Sequence, residues 1–160
     1  MAEPLIVLGV DPGTTNFAFC FLEARTQSVL HTSTANICSG GLPTYKTIAI
    51  GVRLLLDRLY SARPFQHVSV EMQLREAMIA VMESVVMWCV CHDVHCEVVT
   101  ASTWRGRVGL RATGNYEKNK KKSILYLFQV FGYKTVDHNL AEATLIALGA
   151  ATALGLNVTD

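Results

Sequence analysis

Leu5-Ile6-Val7-Leu8-Gly9-Val10-Asp11-Pro12-Gly13 is the stretch that decides how the fold of this chain begins. Its first six residues are apolar or glycine and include three β-branched side chains, which predicts a buried β-strand. The Pro-Gly pair that follows is typical of a tight turn. A second apolar run, at residues 17–22, comes soon after the turn, so the two runs together predict a β-hairpin.

Beyond the hairpin, hydrophobic periodicity predicts alternating strands and helices. Further strands are predicted at residues 28–34, 67–71 and 96–100, and helices at residues 45–60, 76–92, 123–131 and 139–154. The glycine-containing basic segment before residue 123 is predicted to be a loop. Three strands followed by alternating helices and strands predict an α/β fold with a mixed five-stranded sheet flanked by helices.

Composition sets the class of protein to expect. The chain has 160 residues, of which 51% are hydrophobic, so one domain spanning residues 1–160 with a substantial core is expected. No apolar run reaches the roughly 18 residues needed to cross a bilayer. The start of the chain resembles a strand rather than a signal peptide, and the five cysteines are an odd number. These features predict an intracellular protein with reduced thiols and no membrane partner.

The charge of the chain is small overall but unevenly distributed. The net charge is +1, yet residues 105–122 contain seven basic residues and one acidic residue, which leaves the rest at −5. The basic residues are Arg105, Arg107, Arg111, Lys118, Lys120, Lys121 and Lys122. They predict contacts with a DNA backbone, and Trp104 or Tyr116 is expected to stack on an unpaired base. The alternative is a solvated basic loop.

Three acidic residues end or begin predicted elements at positions where a crevice would form. Asp11 ends the first strand, Glu71 ends the fourth, and Glu142 lies in the first turn of the last helix. Ligands of α/β sheets bind beyond strand ends, so the three carboxylates are expected to converge. Asp11 has the alternative role of a turn former before Pro-Gly, and Glu71 that of an ordinary strand-end acid.

Converging carboxylates repel one another unless a cation compensates their charge. Carboxylate oxygens suit Mg²⁺ or Mn²⁺. Two such ions about 4 Å apart can activate water and stabilise the leaving oxygen in phosphodiester hydrolysis. The pattern therefore predicts Mg²⁺ or Mn²⁺ as the cofactor, with two ions in each active site.

Four short motifs resemble those of the RuvC-like Holliday junction resolvases, most closely the poxviral and mitochondrial members. They are Gly9-Val10-Asp11-Pro12-Gly13, Val70-Glu71-Met72-Gln73-Leu74-Arg75, Lys120-Lys121-Lys122-Ser123 and Leu140-Ala141-Glu142-Ala143. They occur in the family's order and span nearly the whole chain. The resemblance implies an RNase H-like fold and a homodimer that cuts four-way DNA junctions at paired sites. It also implies that Lys122, in the lysine-led start of the penultimate helix, is a catalytic lysine near the scissile phosphate.

The sequence departs from the family pattern near its end. Many members carry Asp three residues before the last acid, where this chain has Asn139. Asp137, His138 and Asn139 all remain candidates for the fourth metal-site residue, and His138 is favoured because imidazole can bind Mn²⁺ or orient water. Asn139 and Glu142 also fit a helix capping box, which would give Asn139 a structural role, and Asp137 has the alternative role of a loop or cap residue.

Other functions remain open at this point. The alternatives are a nuclease acting on other branched DNA or on RNA–DNA hybrids, and an inactive junction-binding protein. Gly9–Asn16 also resembles the first phosphate-binding loop of the actin and Hsp70 superfamily, although that fold needs two such domains. The segment from Cys89 to Cys96 contains three thiols and two imidazoles, but its spacing is not that of a common zinc module.

Overall fold

The computed structural model describes residues 2–155, in which a mixed five-stranded sheet is covered by helices on both faces. The elements are β1 Ile6–Asp11, β2 Phe17–Glu23, β3 Ser28–Ala35, α1 Tyr45–Ala62, β4 His67–Glu71, α2 Glu76–Cys91, β5 His95–Val99, α3 Ala101–Val108, α4 Tyr116–Phe131 and α5 His138–Ala153. The fold class predicted from the sequence is confirmed. Met1 and residues 156–160, which the predicted domain of residues 1–160 includes, lie outside the described residues.

The strands lie in the order β3-β2-β1-β4-β5. The first three form the antiparallel arrangement that the Pro-Gly turn predicts. β1 also pairs in parallel with β4, and β4 with β5. The carboxyl ends of these three parallel strands therefore lie at one edge of the sheet, where Asp11 ends β1 and Glu71 ends β4.

Two hydrophobic layers sandwich the sheet. One layer packs α1 and α2 against residues such as Val10 and Val70, and the other packs α3, α4 and α5 against residues such as Val7. Helix α5 lies directly on β1, because a Cβ atom at Gly9 would come within 2.3 Å of the Ala143 carbonyl oxygen. Glycine is thus required at position 9 for an approach that brings the start of α5 over the end of β1.

The basic segment is helical where the sequence predicted a loop. Helix α3 occupies Ala101–Val108, and α4 begins at Tyr116 rather than at residue 123. Thr100 caps α3 by accepting a hydrogen bond from the Thr103 backbone N–H, and Asn115 caps α4 in the same way. Arginine and lysine have high helix propensity, so a basic run is compatible with a helix once its ends are capped.

The structure also gives the positions of the cysteines and the lengths of the apolar helices. Cys89 is buried beside Cys96 in the layer that contains α2, whereas Cys91 is exposed, and all five cysteines are free thiols. Across residues 2–155, no helix combines the length and the apolar character that crossing a membrane requires.

Candidate active site

A cleft of about 770 Å³ opens beyond the carboxyl ends of β1 and β4. Its wall includes Asp11, Glu71 and Glu142, so the structure brings the three predicted acids to one place. The β1–β2 turn and the segment after β4 contribute the rest of one side, and α3, α4 and α5 contribute the other. Polar residues that complete the lining are Thr14, Thr15, Asn16, Gln73, Arg75, Arg105, Tyr116, Asn119, His138 and Asn139.

Strand register explains why the first two acids are neighbours. Val10 pairs with Val70 in the parallel ladder, and both valines face the layer of α1 and α2. Side chains alternate along a strand, so the next residues, Asp11 and Glu71, face the opposite layer, which contains α3 and α5. Glu142 lines the same cleft from α5, because Gly9 lets that helix lie on β1.

The environment of these acids disfavours their charged forms. Burial raises the pKa of Asp11 well above its usual range, and the nearby carboxylates of Glu142, Glu71 and Asp137 raise it further. Burial, and then the charge of Glu71, raise the pKa of Glu142 to about 7. Burial also raises the pKa of Glu71, although hydrogen bonds and Arg105 partly oppose the shift. A cluster of this kind is stabilised by any cation that enters it.

Two basic side chains already act on the cluster. The Arg105 guanidinium lies 3.7 Å from Glu142 Oε1, and Arg105 and Lys120 both lower the pKa of Glu142. Lys120 Nζ lies 4.1 Å from the centre of the Tyr116 ring, which is exposed in the cleft wall. The cleft therefore presents positive groups beside the acids, where a phosphate could approach.

The start of α5 assigns different roles to the three residues that remained open. Asp137 is the N-cap, since its Oδ1 accepts hydrogen bonds from the backbone N–H groups of Asn139 and Leu140. The alternative of an Asn139 capping box is therefore wrong, and Glu142 lies in the second turn of the helix. His138 and Asn139 both line the cleft. Burial and the charge of Lys120 lower the pKa of His138, which favours a neutral imidazole.

Solved structures resemble this chain, whereas family models and curated sequences do not match it. No protein-family model matches the chain, and no curated protein sequence matches it significantly. Among solved structures, RuvC of T. thermophilus in complex with a Holliday junction substrate is similar at a TM-score of 0.74 and 14% identity, covering 96% of this chain and 97% of that chain. The chain has the RuvC-like fold.

Two other resolvase structures share this RuvC-like fold. The yeast mitochondrial Holliday junction resolvase Ydc2 aligns at a TM-score of 0.61 and 16% identity, covering 96% of this chain and 82% of that chain. The Fowlpox virus resolvase in complex with its substrate Holliday junction DNA aligns at a TM-score of 0.62 and 15% identity, covering 94% of this chain and 99% of that chain. The resemblance that four short motifs indicate is thus confirmed at the level of the fold.

The basic residues that were predicted to contact DNA have different surroundings in the structure. Arg105 lines the cleft, and Lys120 lies beside it, whereas the Arg107 guanidinium forms a bidentate ion pair with Glu97 on β5. Lys122 lies inside α4, and its Nζ donates a hydrogen bond to the Arg111 carbonyl, so its ammonium is not part of the cleft lining. Exposed basic side chains around α4 are Arg111, Lys118 and Lys121.

Sequence reasoning gave one aromatic residue an unsuitable role. Trp104 is fully buried, so it cannot stack on a nucleic-acid base as predicted, and its indole N–H donates to Glu71 instead. Tyr116 is 71% exposed and stays a candidate for stacking.

Gln73 and Asn119, which were not predicted as site residues, also line the cleft. Gln73 was visible in the strand-end motif, but nothing in the sequence indicated that Asn119 lines the cleft.

The donor set of the cleft fits a hard divalent cation. One buried and two partly buried carboxylates with raised pKa values, together with one imidazole, supply oxygen and nitrogen ligands of the kind that Mg²⁺ and Mn²⁺ accept. Within residues 2–155, no three His, Cys, Asp or Glu side chains already stand around a common point as a loaded metal site requires. The fit therefore rests on the chemistry and clustering of the groups.

Proposed function

We propose that this protein is a metal-dependent endonuclease that cuts four-way DNA junctions by phosphodiester hydrolysis. The observation that carries the proposal is the presence of Asp11, Glu71 and Glu142 in the lining of one cleft that also contains Arg105. A second line of support is the fold, because two proteins of this fold have structures with Holliday junction DNA. The cleft opens at the strand ends where α/β sheets place their ligands.

In this proposal Asp11, Glu71, His138 and Glu142 hold Mg²⁺ or Mn²⁺, with two ions in each active site. The bound ions would supply activation of the attacking water and stabilisation of the leaving oxygen. The carboxylates supply the negative charge that fixes the ions, and burial keeps bulk water from screening that charge. His138 is suited to its role because a neutral imidazole has a free lone pair.

We further propose that basic residues on α3 and α4 hold the DNA backbone. Arg105 lies within the cleft and can exchange its contact with Glu142 for a phosphate when cations occupy the acids. Lys118, Lys120 and Lys121 extend the positive surface along α4. The exposed ring of Tyr116 lines the cleft beside Lys120, where it can stack on a base that is unpaired at a branch point.

The proposal includes a homodimer, which would bring two active sites to one junction. Helices α1 and α2 present an apolar surface with a groove of about 450 Å³. Its lining includes the exposed side chains of Tyr45 and Met87, and Met87 is 58% exposed. An exposed apolar surface commonly marks a protein interface. It lies on the face of the sheet opposite α3 and α5, so pairing there would leave both clefts open.

A cleavage assay tests the proposed function. The protein is incubated with end-labelled four-way junction, linear duplex or RNA–DNA hybrid in EDTA, Mg²⁺ or Mn²⁺. We expect paired nicks in opposite strands of the junction, with either metal and not in EDTA. Cleavage of the hybrid alone would indicate the related nuclease, and tight junction binding without any cleavage would indicate a junction-binding protein. Either result would overturn the proposal, and single unpaired nicks would contradict the dimer.

Salt dependence tests the role of the lysines on α4. Replacing Lys120, Lys121 and Lys122 by Gln should flatten the log–log salt dependence of junction binding by about 0.9 for each lost phosphate contact. Because Lys122 is engaged with the Arg111 carbonyl, we expect the Lys120→Gln, Lys121→Gln double variant to produce most of the effect. Fluorescence anisotropy at several salt concentrations measures the slope. A matched Arg58→Gln, Arg63→Gln variant alters exposed residues around α1, and an equal effect there would contradict the assignment.

Two variants at the start of α5 distinguish a residue that takes part in cleavage from one that caps the helix. His138→Ala should remove most cleavage activity with little loss of stability, because its side chain lines the cleft. Asp137→Ala should instead cost about 1 kcal/mol of unfolding free energy, because it removes the helix cap. Thermal unfolding and single-turnover cleavage are measured for both variants. A fully active His138→Ala enzyme would exclude His138 as a metal ligand.

A further inference from the structure

We propose that Trp104 is a positioning residue that fixes the orientation of the Glu71 carboxylate for metal binding. This inference rests on the proposed function and adds a residue to it. Trp104 is fully buried, and its Nε1–H donates a hydrogen bond of 2.5 Å to Glu71 Oε2. The two residues come from α3 and β4, 33 positions apart, so the hydrogen bond joins separate elements at the floor of the cleft.

The chemistry of the indole suits this role better than that of a charged side chain. Indole N–H only donates and carries no charge, so it can orient a carboxylate without neutralising it. It occupies Oε2, whereas Oε1 has only a 3.5 Å contact with the Gln73 amide. The indole therefore leaves Glu71 one lightly engaged oxygen for a cation. Outer-shell donors of this kind commonly orient the carboxylates that bind metals.

Helix α3 is anchored firmly enough to hold the indole in place. Trp104 packs against Gly149 of α5, where an added Cβ would lie 3.4 Å from the Trp104 carbonyl oxygen. One turn further along α3, Arg107 pairs with Glu97 on β5 through contacts of 2.7 and 3.2 Å. Two side chains on one face of α3 thus engage carboxylates on adjacent strands, and the rotation of the helix is fixed. Arg107, which was predicted to bind DNA, supports the site from this position.

The test compares two tryptophan substitutions. Trp104→Phe keeps an aromatic ring and removes the N–H. Trp88→Phe is the matched control, because the Trp88 Nε1–H also donates to a carboxylate, that of Asp57, on the other side of the sheet. Calorimetric titration with Mn²⁺ should give an affinity about 10-fold weaker for Trp104→Phe, whereas Trp88→Phe should match the wild type. A purely structural role would lower the melting temperature of both variants and leave the Mn²⁺ affinity of both unchanged.

A metal-free measurement checks the hydrogen bond itself. In the ¹H–¹⁵N spectrum, the indole N–H resonance that is lost in Trp104→Phe should move in Glu71→Gln and stay in place in Asp57→Asn. An unmoved resonance, or wild-type Mn²⁺ affinity in Trp104→Phe, would overturn the inference while leaving the proposed function intact. A wild-type protein that neither binds Mn²⁺ nor cuts junctions would overturn both. If Trp104→Phe does not fold, a benzothiophene analogue of tryptophan at position 104, in a Trp88→Phe background, keeps the bicyclic shape without the N–H.

Discussion

An Asp11→Asn variant should bind a four-way junction and fail to cut it. Asp11 is 9% exposed and lies where the charges of Glu71 and Glu142 also act, so its carboxylate is central to the negative cluster that would fix the ions. Asparagine has nearly the same size and lacks the charge, so the cleft should keep its shape. By analogy with the loss of one preorganised electrostatic group, we expect cleavage to fall by about 100- to 1,000-fold or more.

Junction binding should survive the same substitution, because phosphates are held by the basic residues and not by the acids. Removing a negative charge beside the DNA should even strengthen binding modestly. Single-turnover cleavage and anisotropy are measured on the same preparations. Asp93→Asn is the matched control, because Asp93 is exposed and lies before β5. Its φ of 54° is in the left-handed region, which asparagine also adopts readily. Near-wild-type cleavage by Asp11→Asn would refute the metal site.

Local patterns are sufficient to predict the sheet and the acids. The apolar run before Asp11 and the Pro-Gly turn predict β1 and its hairpin, because strand burial and turn geometry depend on adjacent residues. The place of Glu71 at the end of a short predicted strand likewise predicts that it meets Asp11. Glu142 is found through the helical pattern of α5. These elements depend on interactions close in sequence, and the structure reproduces them with small shifts of their ends.

Long-range contacts explain what the sequence could not predict. Helix α3 has few apolar residues, and its position depends on Trp104 meeting Glu71 and on Arg107 meeting Glu97. A basic, glycine-containing segment therefore resembles a loop until its partners on other strands are known. The helix cap stayed open between Asp137 and Asn139 for a related reason, since both residues fit a local capping pattern and only backbone geometry distinguishes them. Both points concern how the cleft is supported and leave the three acids unchanged.

The raised pKa values of the acids predict an unusual pH dependence of stability in metal-free protein. The folded state raises the pKa of Glu142 from 4.5 to about 7. Its protonated form therefore contributes stability that is fully present below about pH 4.5 and is lost as pH rises through about 7. Asp11 acts in the same direction, because its pKa is also raised. In EDTA, the contribution of the cleft acids to the free energy of unfolding should thus fall between pH 4.5 and 8.

Glu142→Gln should consequently stabilise the metal-free protein at pH 8 while removing its activity. A shift of this size corresponds to about 3 kcal/mol at most, so the variant should gain up to that much at pH 8 and little at pH 4.5. Urea unfolding in EDTA at both pH values measures the difference, and Asp93→Asn, at an exposed position before β5, is the control. Adding Mn²⁺ at pH 8 should stabilise the wild type much more than Glu142→Gln, because only the wild type has the Glu142 carboxylate whose charge the ion compensates. A variant less stable than the wild type at pH 8 would show that Arg105 and Lys120 already neutralise Glu142, and that the cleft does not depend on a cation.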